Sequence, residues 1–307
     1  MTRLLVTGVL GFTGQHLVRH LLETHSISEI VGTDCVEPPR ERAFEYVKAD
    51  LTELEDARRL ISDIHPDCIY HLAGAHSSSD IGLMISVNVL GTSNLLESIC
   101  QENRIEYTRV LIPGSASEYG AVDEHENPIP ERHPPHPVTV YGLSKMMQSE
   151  TGAFYHTAHG LDIVRTRTFN LIGPGQPTLF FAGSLIEQAR RIKAEEQRAV
   201  FEAGNLFPVR DFLDARDAVR AYALIMQQGM AGEIYNVGSG RPCALEQVVH
   251  EVLAISKLDV PVQSVRERVR ASDAPRVVAD VTKLQALTEW YPEVSLTRSL
   301  CDMMASG

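Results

Sequence analysis

The chain has 307 residues and a mass of 34.0 kDa, with 44% hydrophobic and 22% charged residues, an ordinary globular composition that excludes disordered and collagen-like architectures. Its 28 Lys and Arg stand against 40 Asp and Glu, a net charge of −12, and no basic run is dense enough to track a phosphate backbone, so no nucleic-acid partner is expected. No stretch stays apolar without interruption over the ~18 residues of a membrane span, and the amino terminus lacks the features of a signal peptide, so neither a membrane partner nor export is expected and the location is read as cytoplasmic.

In chain order, short aliphatic or β-branched runs predict strands at Arg3 to Thr7, Glu29 to Thr33, Phe44 to Lys48, Cys68 to Leu72, Arg109 to Pro113 and Asp162 to Arg167. Amphipathic stretches between them predict helices at Gly14 to Glu23, Leu54 to Ile64, Ile81 to Glu102 and Tyr141 to His159. This alternation is the mark of repeated βαβ units and a doubly wound parallel α/β sheet of Rossmann type. The five prolines in the run Glu124 to Pro137 predict a loop. After Asn170 the pattern changes: a Gly- and Pro-bearing stretch leads into a charged helix over Ser184 to Glu196, and Glu233 to Val237 reads as a strand again before the turn Gly238-Ser239-Gly240. The expected division is a dinucleotide-binding part at 1–170 with a later return near 232–240, and a mainly substrate-binding lobe at 171–307.

Five cysteines lie far apart without a Cys-x-x-Cys pair, which fits reduced thiols. His16 and His20 have helical i, i+4 spacing, but no Glu accompanies them in a His-Glu-x-x-His arrangement, and no metal is expected.

The first strand runs directly into Gly8-Val9-Leu10-Gly11-Phe12-Thr13-Gly14 and then a helix. Glycines at such a turn let the backbone approach a pyrophosphate, which the helix terminus meets with unpaired N–H groups and a positive dipole end. Asp34, twenty residues after Gly14, ends the second strand, where a carboxylate accepts hydrogen bonds from a ribose diol. Its charge repels a 2′-phosphate and favours NAD, while Arg40 and Arg42 keep NADP open. Asp50 and Leu51, after the third strand, are candidates for the adenine edge.

Tyr141 and Lys145, four residues apart on one helical face, can place an ammonium near a phenol and favour the phenolate. An unperturbed phenol titrates at about 10, too high for an efficient base near neutrality without such help. Ser115, just beyond the fifth strand, can hydrogen-bond the reacting oxygen while Tyr141 moves its proton and hydride passes between cofactor and carbon; Ser117 is its rival.

Together, Thr7-Gly8-x-x-Gly11-x-x-Gly14, His71-Leu72-Ala73-Gly74, Asn88, Ser115 and Tyr141-x-x-x-Lys145 resemble the extended short-chain dehydrogenase/reductase family that modifies nucleotide sugars. The resemblance runs over essentially the whole chain. It implies a seven-stranded Rossmann domain, a smaller nucleotide-sugar lobe, Leu72, Ala73, Gly74 and Asn88 at the cofactor, and a homodimer built on a four-helix bundle from the helices beginning near Ile81 and Tyr141. The segments Arg167 to Gln176 and Gly204 to Phe212 look most like GDP-4-keto-6-deoxy-D-mannose reductases. Carried over, Asn170, Arg210 and Arg270 would meet the diphosphate of the sugar nucleotide, and Asp273 its ribose.

Two departures carry weight. The dehydratases of this family place a Glu two residues before the pair that here is Tyr119-Gly120, and this chain has Ser117 there, with Glu118 expected to point elsewhere. Asp34 is common in 4-epimerases that keep NAD bound and is usually avoided in reductases that consume NADPH. The reading is a C4-ketone reductase of a GDP-4-keto-6-deoxyhexose, with a nucleotide-sugar 4-epimerase as the alternative and a non-catalytic dinucleotide sensor as a remote one.

Overall fold

Leu4 and Val6 point to one side of a strand and Leu5 to the other, and all three are buried, so the strand they form, β1 (Arg3–Thr7), needs a covering layer on each face. Val110 and Ile112 against Leu111 repeat the pattern at the centre of the sheet. The structure, a computed structural model, describes residues 2–24, 29–38, 44–76, 80–265 and 274–306. Beyond β1 it runs through α1 (Phe12–Thr24), β2 (Glu29–Asp34), β3 (Glu45–Lys48), α2 (Leu54–Ile64), β4 (Cys68–His71), α3 (Ile81–Ile85), α4 (Gly91–Gln101), β5 (Arg109–Ser115), α5 (Val140–His159) and β6 (Asp162–Thr168). Then follow β7 (Asn170–Ile172), α6 (Phe181–Lys193), β8 (Phe201–Ala203), β9 (Val209–Asp214), α7 (Ala215–Gln228), β10 (Ile234–Val237), β11 (Pro242–Ala244), α8 (Leu245–Ser256), β12 (Val262–Ser264), β13 (Arg276–Val277), α9 (Thr282–Thr288) and α10 (Leu296–Ala305).

Seven strands form one parallel sheet in the order β10-β6-β5-β4-β1-β2-β3. The order reverses between β1 and β4, the position at which doubly wound sheets open a crevice beyond their carboxyl ends. On one face α1 and α7 pack through Leu17, Leu21, Tyr222 and Ile225. On the other, α2, α4 and α5 contribute Leu60, Ile61, Leu95, Ile99 and Tyr155. A second core gathers Leu185 of α6, Val248 of α8 and Leu300 and Met303 of α10 beside a small sheet in which β9 pairs with β7, β11 and β13.

The Rossmann-type reading is correct, and the observed elements refine it in three places. The helix expected over 81–102 is interrupted at Ser86–Leu90 by a π turn, whose extra residue brings Asn88 fully inside while Leu90 stays exposed. Among the described residues, 81–101 is the one helical segment long and apolar enough by length and composition to cross a membrane, and half of it is buried in this fold. The helix expected at Ser184 to Glu196 starts and ends three residues earlier, stopped where Glu195 takes a left-handed conformation at φ 60°. The chain returns to the main sheet through α7 as well as through β10, because α7 carries an apolar face, Ala218, Tyr222 and Ile225, that α1 leaves room to cover.

Candidate active site

The turn after β1 is built for close approach. Gly8 sits at φ +63°, and a Cβ there would lie 2.6 Å from the Ala73 backbone nitrogen. A Cβ on Gly14 would lie 2.4 Å from the Gly8 carbonyl oxygen, so β1, the loop after β4 and the start of α1 meet where side chains do not fit. Gly11, Phe12 and Thr13 complete the turn, and all of these residues line one cleft of about 1040 Å³ beyond the carboxyl ends of the strands. That volume is at the upper limit of the ~300–1,000 Å³ usual for a single small ligand, and it suits a dinucleotide with a second substrate.

Asp34 ends β2 at the cleft wall, where its carboxylate accepts from the Leu10 amide at 3.2 Å and the Cys35 amide at 2.9 Å. It both fixes the glycine turn and faces the cavity. Asp50 closes a tight turn through Thr52, and Asp50 and Leu51 line the same end of the cleft. Leu72, Ala73 and Gly74 follow β4 along the wall. The side chains present therefore fit a nicotinamide dinucleotide: a cradle that a Cβ would fill, a helix amino terminus and a carboxylate on the neighbouring strand.

Asn88 does not reach the cleft wall. It is fully buried, accepting from the Ala75 amide at 2.8 Å and donating to Ser144 Oγ at 2.9 Å, so it braces the Gly74–Ala75 backbone and ties it to α5. The resemblance implied a place for Asn88 at the cofactor; here the π turn sets it behind the Gly74–Ala75 backbone that lines the cleft.

Ser115 is the last residue of β5, and both it and Tyr141 line the cleft. Ser117 lines it too, but its amide is spent on Ser115 Oγ at 3.1 Å. The Tyr141 phenol stands in the first turn of α5, which Thr139 caps through the Gly142 amide at 3.0 Å. Burial raises the phenol above its ordinary value, the Ser115 hydroxyl bonded to it pulls it down, and the Glu118 carboxylate pushes it up. Lys145 is buried one turn later with its ammonium turned to Gln148 Oε1, and burial pulls it down to about 8. Burial is the largest of these influences, so the phenol stands above its ordinary value.

Glu118 points away from the cleft, as its position in sequence suggested. Its side chain is fully buried, bonds Arg167 Nε at 3.0 Å and takes the Ser115 amide at 2.7 Å. Asn170 lines the cleft and donates to the Asp211 carbonyl at 3.0 Å. Arg210 lies off the cleft wall, with its guanidinium on the Val209 and Ala274 carbonyls. Arg270 and Asp273, and likewise Arg40 and Arg42, lie outside the described residues. His16 Nε2 is bonded to the Pro174 carbonyl at 2.9 Å. Among the described residues no three His, Cys, Asp or Glu side chains gather as a metal site.

Two features escaped the sequence reading. One is the apolar half of the cleft, where His76 packs on Phe180 with ring centroids 5.0 Å apart and Leu83, Val87 and Phe212 complete the wall. The other is a buried polar chain linking Thr7, His71, Thr92 and Gln148 to Lys145. Its one legible signal was the i, i+3 spacing of Lys145 and Gln148.

A glycine cradle, a strand-end serine and a Tyr-x-x-x-Lys helix opening on one cleft define an NAD(P)-dependent, nucleotide-sugar-modifying enzyme of the extended short-chain dehydrogenase/reductase type. The chain belongs to the GDP-mannose 4,6 dehydratase family, whose sequence model matches residues 5–304. It is 31% identical to the GDP-6-deoxy-D-mannose reductase of Pseudomonas aeruginosa over 97% of this chain and 94% of that one. Its fold is similar to the structure of RMD from Pseudomonas aeruginosa complexed with NADPH, with a TM-score of 0.88 at 29% identity over 100% of this chain and 98% of that one. It is also similar to the UDP-glucose 4-epimerase of Thermus thermophilus in complex with NAD, with a TM-score of 0.87 at 27% identity over 99% and 98% of the two chains.

Proposed function

We propose that the protein reduces the C4 ketone of a GDP-4-keto-6-deoxyhexose. The observation that carries this reading is the state of the acid next to the reactive serine: Glu118 is locked on Arg167 behind the cleft and Ser117 stands where elimination of water needs a carboxyl group. The site thus has the groups for moving a proton to and from an oxygen but not that acid for dehydration. The similarity to GDP-6-deoxy-D-mannose reductase supports the same choice.

In this reading Ser115 hydrogen-bonds the carbonyl oxygen and holds it against Tyr141. The Tyr141 phenol, kept protonated by its burial, gives its proton to that oxygen as the alcohol forms. Lys145 supplies positive charge beside the phenol and holds the nicotinamide ribose. Gly8, Gly11 and Gly14 with the start of α1 receive the pyrophosphate, and the dinucleotide, when bound, supplies the hydride. Asn170 on the cleft wall meets the sugar-nucleotide diphosphate, with Arg210 and Arg270 as further candidates for the diphosphate and Asp273 for the ribose. Residues 1–170 carry cofactor and chemistry, and 171–307 mainly select the substrate.

Asp34 favours the second reading, a 4-epimerase, because its carboxylate at the cleft wall suits an unphosphorylated ribose and hence NAD. The proposal includes a homodimer, supported by the exposed Ile81, Leu90 and Phe154 on the helical segment 81–101 and on α5, and a cytoplasmic location, supported by five unpaired cysteines. Replacing Tyr141 by Phe tests the catalytic assignment: turnover collapses while dinucleotide binding survives, and unchanged turnover refutes it.

A further inference from the structure

The hydrogens in the chain behind Lys145 can be assigned one by one. Thr92 Oγ1 donates its single hydrogen to the Asn88 carbonyl at 2.7 Å. It can therefore only accept from its other two partners, Gln148 Nε2 and His71 Nε2, both at 2.8 Å. His71 is thereby fixed as the neutral tautomer with hydrogen on Nε2, and its bare Nδ1 accepts from Thr7 Oγ1 at 2.9 Å. Thr7 Oγ1 in turn accepts the Ala73 amide at 3.0 Å. The side chains of Thr7, His71, Thr92, Lys145 and Gln148 are all buried.

One consequence falls on Gln148. Because Thr92 can only accept, the Gln148 amide must turn its NH₂ to Thr92 and its oxygen to the Lys145 ammonium. The Lys145 ammonium, which has only hydrogens to give, requires the same orientation, so the two partners of the amide agree on it. The polar chain thus starts at the residue before Gly8, crosses from β1 to β4 on the sheet face that α4 and α5 cover, and ends by aiming one carbonyl oxygen at Lys145.

We propose that Gln148 is a positioning residue of the reaction: its amide oxygen, oriented by Thr92 and His71, holds the Lys145 ammonium in the place and charge state on which Tyr141 and the nicotinamide ribose depend. The proposal rests on the roles assigned above to Tyr141 and Lys145. The titratable groups coupled to Lys145 are Glu118 from the turn after β5 and His71 from β4, and Tyr141 lies one turn earlier on its own helix. Burial favours the neutral amine and Glu118 opposes it. The Gln148 bond is made in full only to the charged form, so losing it lets the proton leave at lower pH.

The test compares the intact protein with Gln148→Met and Gln148→Glu. Free of cofactor, each is acylated briefly with a small amine reagent across the neutral to alkaline range, and the extent at Lys145 is read by mass spectrometry. Gln148→Met is expected to move the midpoint down by about one pH unit and Gln148→Glu to move it up. The alkaline limb of kcat/KM for the dinucleotide moves in the same directions, and KM rises in Gln148→Met more than kcat falls. If Gln148→Met fails to fold, the nearly isosteric Gln148→Glu decides alone. An unmoved midpoint in Gln148→Glu, with activity lowered evenly at all pH values, overturns the proposal and leaves Gln148 a packing residue. Failure of the underlying reading is distinct: Tyr141→Phe would then keep its turnover, while the labelling midpoints still report on Gln148.

Discussion

Glu118 and Arg167 form an ion pair of 3.0 Å with side chains 0% and 6% exposed, and the second carboxylate oxygen of Glu118 holds the Ser115 amide at 2.7 Å. The guanidinium also lies 4.6 Å from the centroid of the Tyr119 ring. Glu118, one residue from the position at which the dehydratases of this family place a Glu, is therefore a brace for Ser115. Glu118→Gln keeps an acceptor for the amide but leaves Arg167 without its counter-charge, and removing one partner of a buried pair costs about 3–5 kcal/mol. Urea unfolding measures this loss; a change within error would mean that water reaches the pair.

Gly8→Ala places a methyl group against the Ala73 backbone at a residue held at φ +63°. Strain of this kind costs on the order of 1–3 kcal/mol, and its relief widens the turn. Dinucleotide affinity is expected to fall at least about tenfold, a loss of roughly 1.4 kcal/mol in binding, with a lower midpoint of thermal unfolding. Calorimetric titration that found unchanged affinity would place the pyrophosphate elsewhere.

If Asp34 selects against a 2′-phosphate, as proposed, Asp34→Asn removes that charge while retaining an oxygen for the Leu10 or Cys35 amide. The ratio of NADP to NAD affinity should rise by about tenfold or more, equivalent to roughly 1.4 kcal/mol. Parallel titrations with both dinucleotides measure it, and an unchanged ratio would remove Asp34 from cofactor selection.

His71 carries a pH dependence of stability. Burial, with a smaller contribution from Lys145, depresses it from 6.5 to about 3. Between those values the unfolded chain binds a proton that the folded protein refuses, so stability present above pH 6.5 is lost as pH falls toward 3. His71→Gln can reproduce both hydrogen bonds without titrating, and the slope of unfolding free energy against pH in this window should flatten. An identical slope in the two proteins would show that His71 ionises freely in the folded state.

The glycine turn, Asp34, Ser115, Tyr141 and Lys145 were legible because each sits at a strand end or helix turn that periodicity locates, and all line one cleft. The burial of Asn88 behind the Gly74–Ala75 backbone was not legible, because it follows from a π turn that no local pattern announces. The partners of Glu118 and Gln148 were hidden for another reason. Arg167 is 49 residues from Glu118 and Thr92 is 56 from Gln148, so the contacts exist only after β5 and β6 pair and α4 packs on α5. The apolar wall formed by His76, Phe180 and Phe212 likewise joins segments that sequence reading assigned to separate parts.

The central claim is reduction at C4 with Tyr141 as the acid, and it is tested most directly by supplying the purified protein with GDP-4-keto-6-deoxy-D-mannose and reduced dinucleotide. The account predicts that NADH or NADPH is oxidised in a one-to-one ratio with GDP-6-deoxyhexose formed, and that Tyr141→Phe abolishes both. Tightly bound NAD, together with interconversion of C4 epimers and no net consumption of reduced dinucleotide, would contradict it.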